Sequence, residues 1–264
     1  MIIGLHAVQI SVADVDSAAA DYQRILGKPP SSCHVDGGLA SVDFALDNTI
    51  LRLVASSEPL GLERLDFLVT DINYWRSRLG RLGISVDETQ SGDTLLVIQK
   101  PSARGLGLAL THVDSGTSDT SSDDASNADA SNVRGLDHAV ISSGNGDLTA
   151  ALLGAKLQLD MRLDLTSPEW DARLLFFRCG DLVVEVFQSL SNDIAGTSDA
   201  FFGLTWRTAD IESTHKRLTE LGVDVSPVRQ GRKQGTKVFT IRNYTQGVPT
   251  LVLGTTNNAV LNAS

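Results

Sequence analysis

Apolar and polar positions along this chain run through the same cycle four times. Residues 5–12 alternate at period two, which predicts a strand, and Asp14 is placed to cap a helix over 15–26 that Gly27-Lys28-Pro29-Pro30 closes. Short strand-like runs at 33–35, 39–46 and 49–55 follow, split by Asp36-Gly37-Gly38 and Asp47-Asn48 turns. A second cycle has a strand at 63–69, a helix capped by Asp71 and running through Leu82, and strands at 84–86, 94–99 and 107–112. A third has a strand at 138–142, a shortened helix over 147–153, and strands at 158–163, 172–178 and 182–188. In the fourth, a strand at 202–208 leads to a helix over 211–221 capped by Asp210, then strands at 223–226, 237–242 and 250–253. Four copies of one β-α-β-β-β unit account for almost the whole chain.

Between the second and third copies the pattern stops. Residues 115–132 contain four aspartates, no basic residue and no aliphatic or aromatic residue larger than alanine. Such a segment buries too little to offset its ordering entropy, which predicts a flexible acidic linker. The expected organisation is therefore an N-terminal domain over 1–114, the linker over 115–132, and a C-terminal domain over 133–264. Charge follows the same partition: −5 in the first segment, −4 in the linker and −1 in the last, for a net charge of −10. That balance argues against nucleic acid as a partner. No apolar run approaches membrane-spanning length, and the N-terminus has no basic region ahead of an apolar segment, so a cytoplasmic protein without membrane contact is expected. Cys33 and Cys179 are too far apart for metal-type spacing.

Gly4-Leu5-His6-Ala7-Val8-Gln9-Ile10 is echoed by Gly135-Leu136-Asp137-His138-Ala139-Val140-Ile141. A histidine opening such a strand is a ligand or base if its face lines a cup, and a satisfied polar residue if its face packs on a helix. The four-fold unit, the phrase His6-x-Val8-x-Ile10-x-Val12-x-Asp14 and the helix ending Asp21-Tyr22-Gln23-Arg24-Ile25-Leu26-Gly27 resemble the vicinal oxygen chelate superfamily of glyoxalases, bleomycin-resistance proteins and extradiol dioxygenases. The resemblance implies an α+β fold of four βαβββ units paired into two domains, each a curled mixed sheet with helices outside. It also implies a divalent metal, when one is present, held by a residue on each unit's first strand and a carboxylate on its last.

Counting back eight residues from Asp14, Asp71 and Asp210 gives His6, Glu63 and Phe202, while His138 lies nine before Asp147. The last strands offer Arg52, Ala109, Glu185 and the neighbourhood of Thr250 and Val252. Only the third unit has both family positions, so His138 and Glu185 are the candidate catalytic pair and metal ligands, an incomplete set, with His6 and Glu63 as the alternative site. Arg52 stands where the first unit would carry a carboxylate and is suited to pair with Glu63. The first half is expected to be structural or dimerising, which leaves a homodimer open.

Glu185 lies within Leu182-Val183-Val184-Glu185-Val186-Phe187. Either it has a partner that offsets its burial or it sits on a wet face. Arg229-Gln230-Gly231-Arg232-Lys233-Gln234-Gly235-Thr236-Lys237 has four bases and no acid. It is either a solvated turn or a cradle for a small anionic molecule, with Arg229, Arg232, Lys233 and Arg207 as anion-holding groups and Trp170 and Trp206 as apolar walls. The expected function is a glyoxalase-type lyase or isomerase with its site in the C-terminal cup. A non-catalytic sequestering protein of the bleomycin-resistance kind is the alternative, and an extradiol dioxygenase is disfavoured by Phe202 in place of a second histidine.

Overall fold

A computed structural model describes residues 1–36, 39–57, 59–113, 129–191 and 198–255, so Gly37, Gly38 and most of the expected linker lie outside the described residues. The first half contains β1 (Ile2–Val12), α1 (Val15–Leu26), β2 (Ser32–Asp36), β3 (Leu39–Ala45) and β4 (Ile50–Ala55). It continues with β5 (Gly61–Val69), α2 (Ile72–Arg81), β6 (Leu95–Ile98) and β7 (Leu108–Thr111). The second half has β8 (Val133–Ser142), α3 (Gly146–Ala150), β9 (Asp160–Ser167), β10 (Ala172–Cys179) and β11 (Leu182–Ser189). It ends with β12 (Ala200–Thr208), α4 (Ile211–Glu220), β13 (Arg229–Gln230), β14 (Thr236–Ile241) and β15 (Thr250–Thr255). The strands form two mixed sheets, β2-β3-β4-β1-β5-β7-β6 and β13-β14-β15-β12-β8-β11-β10-β9. The expected α+β class is what the chain adopts.

Local chemistry sets the helix starts. The carboxylates of Asp14 and Asp71 accept from Ser17 N and Tyr74 N, both at 2.9 Å, and Asp210 accepts from Glu212 N and Ser213 N, both at 3.1 Å. The third helix departs from the expected Asp147 start. Asn145 is its cap, accepting from Leu148 N at 3.1 Å, and the α-helical turn passes into a π-helix over Ala151–Lys156. The runs expected as strands at 84–86 and 223–226 reduce to single bridges, Val86 to Ile98 and Val225 to Ile241.

Each sheet is drawn from one half of the sequence, yet the compact units are not the two halves. One unit comprises Met1–Gln9, Leu62–Thr117 and His138–Gly203; the other comprises Ile10–Gly61, Ser118–Asp137 and Leu204–Ser264. In the first of these, Arg78 of α2 donates to the carbonyls of Ala155 and Lys156 at 2.9 and 3.1 Å, where the third helix ends. Arg104 grips the fully buried carboxylate of Asp199 at 2.8 and 3.1 Å, and Thr149 Oγ1 donates to the same carboxylate at 2.7 Å. In the other unit, Arg217 of α4 donates to the carbonyls of Arg24 and Ile25 at 2.7 and 2.8 Å, where α1 ends. An arginine in each case satisfies the carbonyls that a helix C-terminus leaves open.

The expected linker is bound at its end. Arg217 Nε donates to Ser131 O at 3.1 Å, Thr208 Oγ1 donates to Asn132 O at 3.2 Å, and Asp210 N donates to Ala130 O at 3.3 Å. Residues 129–132 therefore belong to the packed structure, because these backbone groups find partners that composition does not reveal.

Candidate active site

The side chains facing each way follow from the strand alternation. In β5, β8 and β12 the residues two, four and six positions before the helix cap are buried: Leu65, Phe67 and Val69; Ala139, Ile141 and Ser143; Leu204, Trp206 and Thr208. Val8, Ile10 and Val12 repeat this in β1. The opposite face thus takes the residue seven before each cap. With Asp14, Asp71, Asn145 and Asp210 as caps, those residues are Ala7, Arg64, His138 and Gly203. Counting eight is one residue out for three of the units, which is why it reached His6, Glu63 and Phe202. In the third unit the true cap, Asn145, brings His138 into register. Only one of the four equivalent positions carries a histidine.

His138 sits opposite Val183 in the parallel pairing of β8 with β11, and Glu185 sits opposite Val140, on the same face. The His138 Nε2 to Glu185 Oε2 distance is 3.6 Å, with side chains 18% and 13% exposed. That is an ion-pair distance, beyond a good hydrogen bond. The low exposure keeps the pair from full solvent screening. The alternation behind the pair is strict: Leu182, Val184 and Val186 are buried on the other face. Glu185 therefore faces away from the core with a titratable partner beside it.

The alternative site is closed differently. Glu63 pairs with Lys100 Nζ at 2.6 Å. Arg52, expected to reach Glu63, instead holds Asp43 directly across the β3–β4 ladder through two bonds of 2.9 and 2.7 Å. Arg64, at the seventh position of its unit, is held by the buried Asp66 through bonds of 2.5 and 3.0 Å. Bidentate pairs of this kind commit both partners to each other.

The anion-holding residues are divided between the two compact units. Arg229, Arg232 and Lys233 are exposed on the β13–β14 hairpin, and they fall with Trp206 and Arg207 in the other compact unit. Trp206 is fully buried, in register with the buried Val252, and so packs in the core rather than walling a ligand site. Arg207 lies on the opposite face, its Nε 3.0 Å from where a side chain on Gly135 would begin. Trp170 is 44% exposed at the end of a 3₁₀ turn in the same unit as His138. The sequence offers Arg178 only as one of several arginines on or next to predicted strands, with Arg162, Arg173, Arg207 and Arg242. Register places Arg178 opposite Val183, in one row with His138, and only the ladder pairing of β10 with β11 reveals this.

Comparison with solved structures gives the fold. The chain superposes on a triple mutant of 4-hydroxymandelate synthase from Streptomyces coelicolor with a TM-score of 0.69 at 12% identity, covering 97% of this chain and 93% of that one. The 2,3-dioxygenase LapB from Pseudomonas sp. KL28 matches at 0.69 and 14%, over 96% and 93%. The Mn(II)-bound glyoxalase from Novosphingobium aromaticivorans matches at 0.68 and 14%, over 96% and 82%. The chain has the fold of these three enzymes, the α+β fold that the resemblance implied. By sequence, no family and no curated protein matches the chain. At these identities the vicinal-oxygen-chelate likeness establishes architecture, and the chemistry has to come from the side chains. Among the described residues, no group of three or more His, Cys, Asp or Glu side chains is placed to hold a metal ion, and no helix is long and apolar enough to cross a membrane.

Proposed function

We propose that the chain is a small-molecule lyase or isomerase of glyoxalase type that moves a proton with His138 as base and Glu185 as its orienting carboxylate. The observation that carries this reading is the 3.6 Å pair on the outward face of an otherwise apolar strand. Nε2 faces Glu185, which favours the tautomer protonated there and makes the second ring nitrogen the base. When the imidazole takes a proton from the substrate, Glu185 stabilises the resulting cation, and the same proton can be returned at another position. The substrate class is a small oxygenated anion whose C–H bond is weakened by an adjacent carbonyl.

A divalent metal is the group this fold implies, and the Mn(II)-bound glyoxalase carries one. Here the matching positions supply His138 and Glu185, while Ala7, Arg64 and Gly203 stand at the equivalent points of the other units. Two donors fall short of the three or four that hold a metal of the zinc type. The residues do not fit a complete metal set, and the proposed chemistry runs on side-chain proton transfer.

A second reading has one observation behind it: three of the four equivalent positions lack a group that can exchange a proton near pH 7, which suits a protein that sequesters its ligand. The two separate by solvent exchange. Incubating the protein in D₂O with a panel of 2-keto and 2-hydroxy acids and following C–H loss by NMR should reveal exchange or conversion for a member of the panel. His138→Gln should lower that rate by about 10²–10⁴-fold, and Glu185→Gln by less. Retained exchange in His138→Gln, with loss in Glu63→Gln, moves the site to the first half. Binding without exchange across the panel supports sequestration.

A further inference from the structure

We infer that Arg178, with Arg162 beside it, is the anion-holding site for the molecule on which His138 acts. This rests on the acid–base reading of His138 and Glu185 and names the part of the substrate that the pair cannot hold. The β8–β11 and β10–β11 ladders place His138, Val183 and Arg178 in a single row across three adjacent strands. Residues paired across a ladder project to the same face, so Arg178 rises on the side that carries His138 and Glu185. Two strand spacings separate the Cα atoms of His138 and Arg178 by about 10 Å, a gap that the arginine side chain and a small acid fill together.

The surface at this point is concave. A shallow open groove of about 280 Å³ is lined by Arg162, Arg178, Gly180, Asp181, Leu182 and Val183. Val183 is therefore shared by the groove and the row of His138. Arg178 is steadied by one bond, Nε to Gly180 O at 3.1 Å. That bond uses the inner nitrogen, and the Nη1–Nη2 fork is the part of a guanidinium that meets two oxygens of one carboxylate or phosphate. Arg162 is the extra residue of the bulge, between Met161 opposite Phe177 and Leu163 opposite Phe176, and is paired with Asp160 at 3.0 Å, so it is the weaker of the two. Asp160 beside Arg162 and Asp181 in the lining offset the positive charge, so the anion is held by the geometry of the Arg178 fork.

The other arginine of β10 is committed elsewhere. Arg173, also on β10, holds Asp164 at 2.9 and 2.7 Å and Asp147 at 2.8 Å. Its parity puts it on the buried side of β10 with Leu175 and Phe177. The ligand class is an oxyanion: a carboxylate or a phosphate ester on a small carbonyl or hydroxy metabolite, with the anion over Arg178 and the reacting carbon toward His138.

The test titrates the full-length protein with inorganic phosphate and, separately, with malonate. Calorimetry gives affinity, and the ¹⁵N-edited arginine Nε–H spectrum reports which guanidinium responds. Arg178→Gln should weaken both probes about ten- to a hundred-fold, Arg162→Gln about three- to ten-fold, and Arg178→Lys should restore part of the loss. The exposed Arg81→Gln is the control and should leave both affinities unchanged. Phosphate and malonate binding as tightly to Arg178→Gln as to the unmodified chain, or lost instead in Arg229→Gln, overturns the assignment. His138→Gln should keep phosphate binding. If Arg178→Gln weakens the probes while His138→Gln leaves turnover intact, the acid–base reading alone falls and the oxyanion site stands.

Discussion

Arg217 Nη2 donates to the carbonyl of Ile25 at 2.8 Å across 192 positions of sequence. The same guanidinium bonds the carbonyls of Arg24 and Ser131, at 2.7 and 3.1 Å, so one side chain ties α4 to the end of α1 and to the segment before β8. Gly27, which closes α1 with φ of 73°, leaves room for Asn132 and Arg217; a Cβ there would collide with Asn132. Arg78 does the corresponding work in the other compact unit. These contacts explain why the compact units join the first copy of the repeat to the fourth, and the second to the third.

Removing that guanidinium leaves helix carbonyls without partners in a half-buried setting. Arg217→Ala should cost about 2–4 kcal/mol, and Arg78→Ala, at a more exposed site, about 1 kcal/mol. Urea unfolding of both variants measures this. Equal, negligible losses would show that the carbonyls are satisfied by solvent.

Acid should unfold the protein through identifiable carboxylates. Hydrogen bonds from the Ser213 and Glu212 backbone hold Asp210 below its ordinary value, and Arg173 does the same for Asp164. A carboxylate depressed in the folded state stabilises above its unfolded value of about 4 and loses that contribution as pH falls through the folded value. Melting temperature should accordingly be steady from neutral pH to about 5 and drop below about 4. Asp210→Asn keeps a capping oxygen but cannot titrate, so its melting temperature should lie closer to that of the unmodified chain at pH 3 than at pH 7. A constant offset at all pH values would remove Asp210 from the acid response.

The two cysteines should differ sharply in reactivity. Burial, with the charge of Asp181 adding to it, pushes the Cys179 thiol up to about 12, whereas Cys33 is exposed on β2. Because the thiolate is the reactive form, a thiol reagent at pH 8 should modify one cysteine in the folded protein and two in denaturant. Fast double modification under native conditions would mean that the β10 end opens.

Period-two alternation, helix-capping aspartates and terminal glycines act within a few residues, so the four-fold repeat, the α+β class and three of the four helix starts could be read directly from the chain. The pairing of His138 with Glu185 also began there, as a histidine opening one strand and a glutamate inside another. What adjacency in sequence does not carry is register. A shift of one residue turns every side chain to the other face, and that shift separates Ala7, Arg64 and Gly203 from His6, Glu63 and Phe202. Ladder pairing brought Arg178 into the row of His138, buried Trp206, and gave Arg52 to Asp43. Sequence determined which elements form, because their signals are local; tertiary structure decided which residues meet, because strand register and helix-end contacts are settled between segments far apart in the chain.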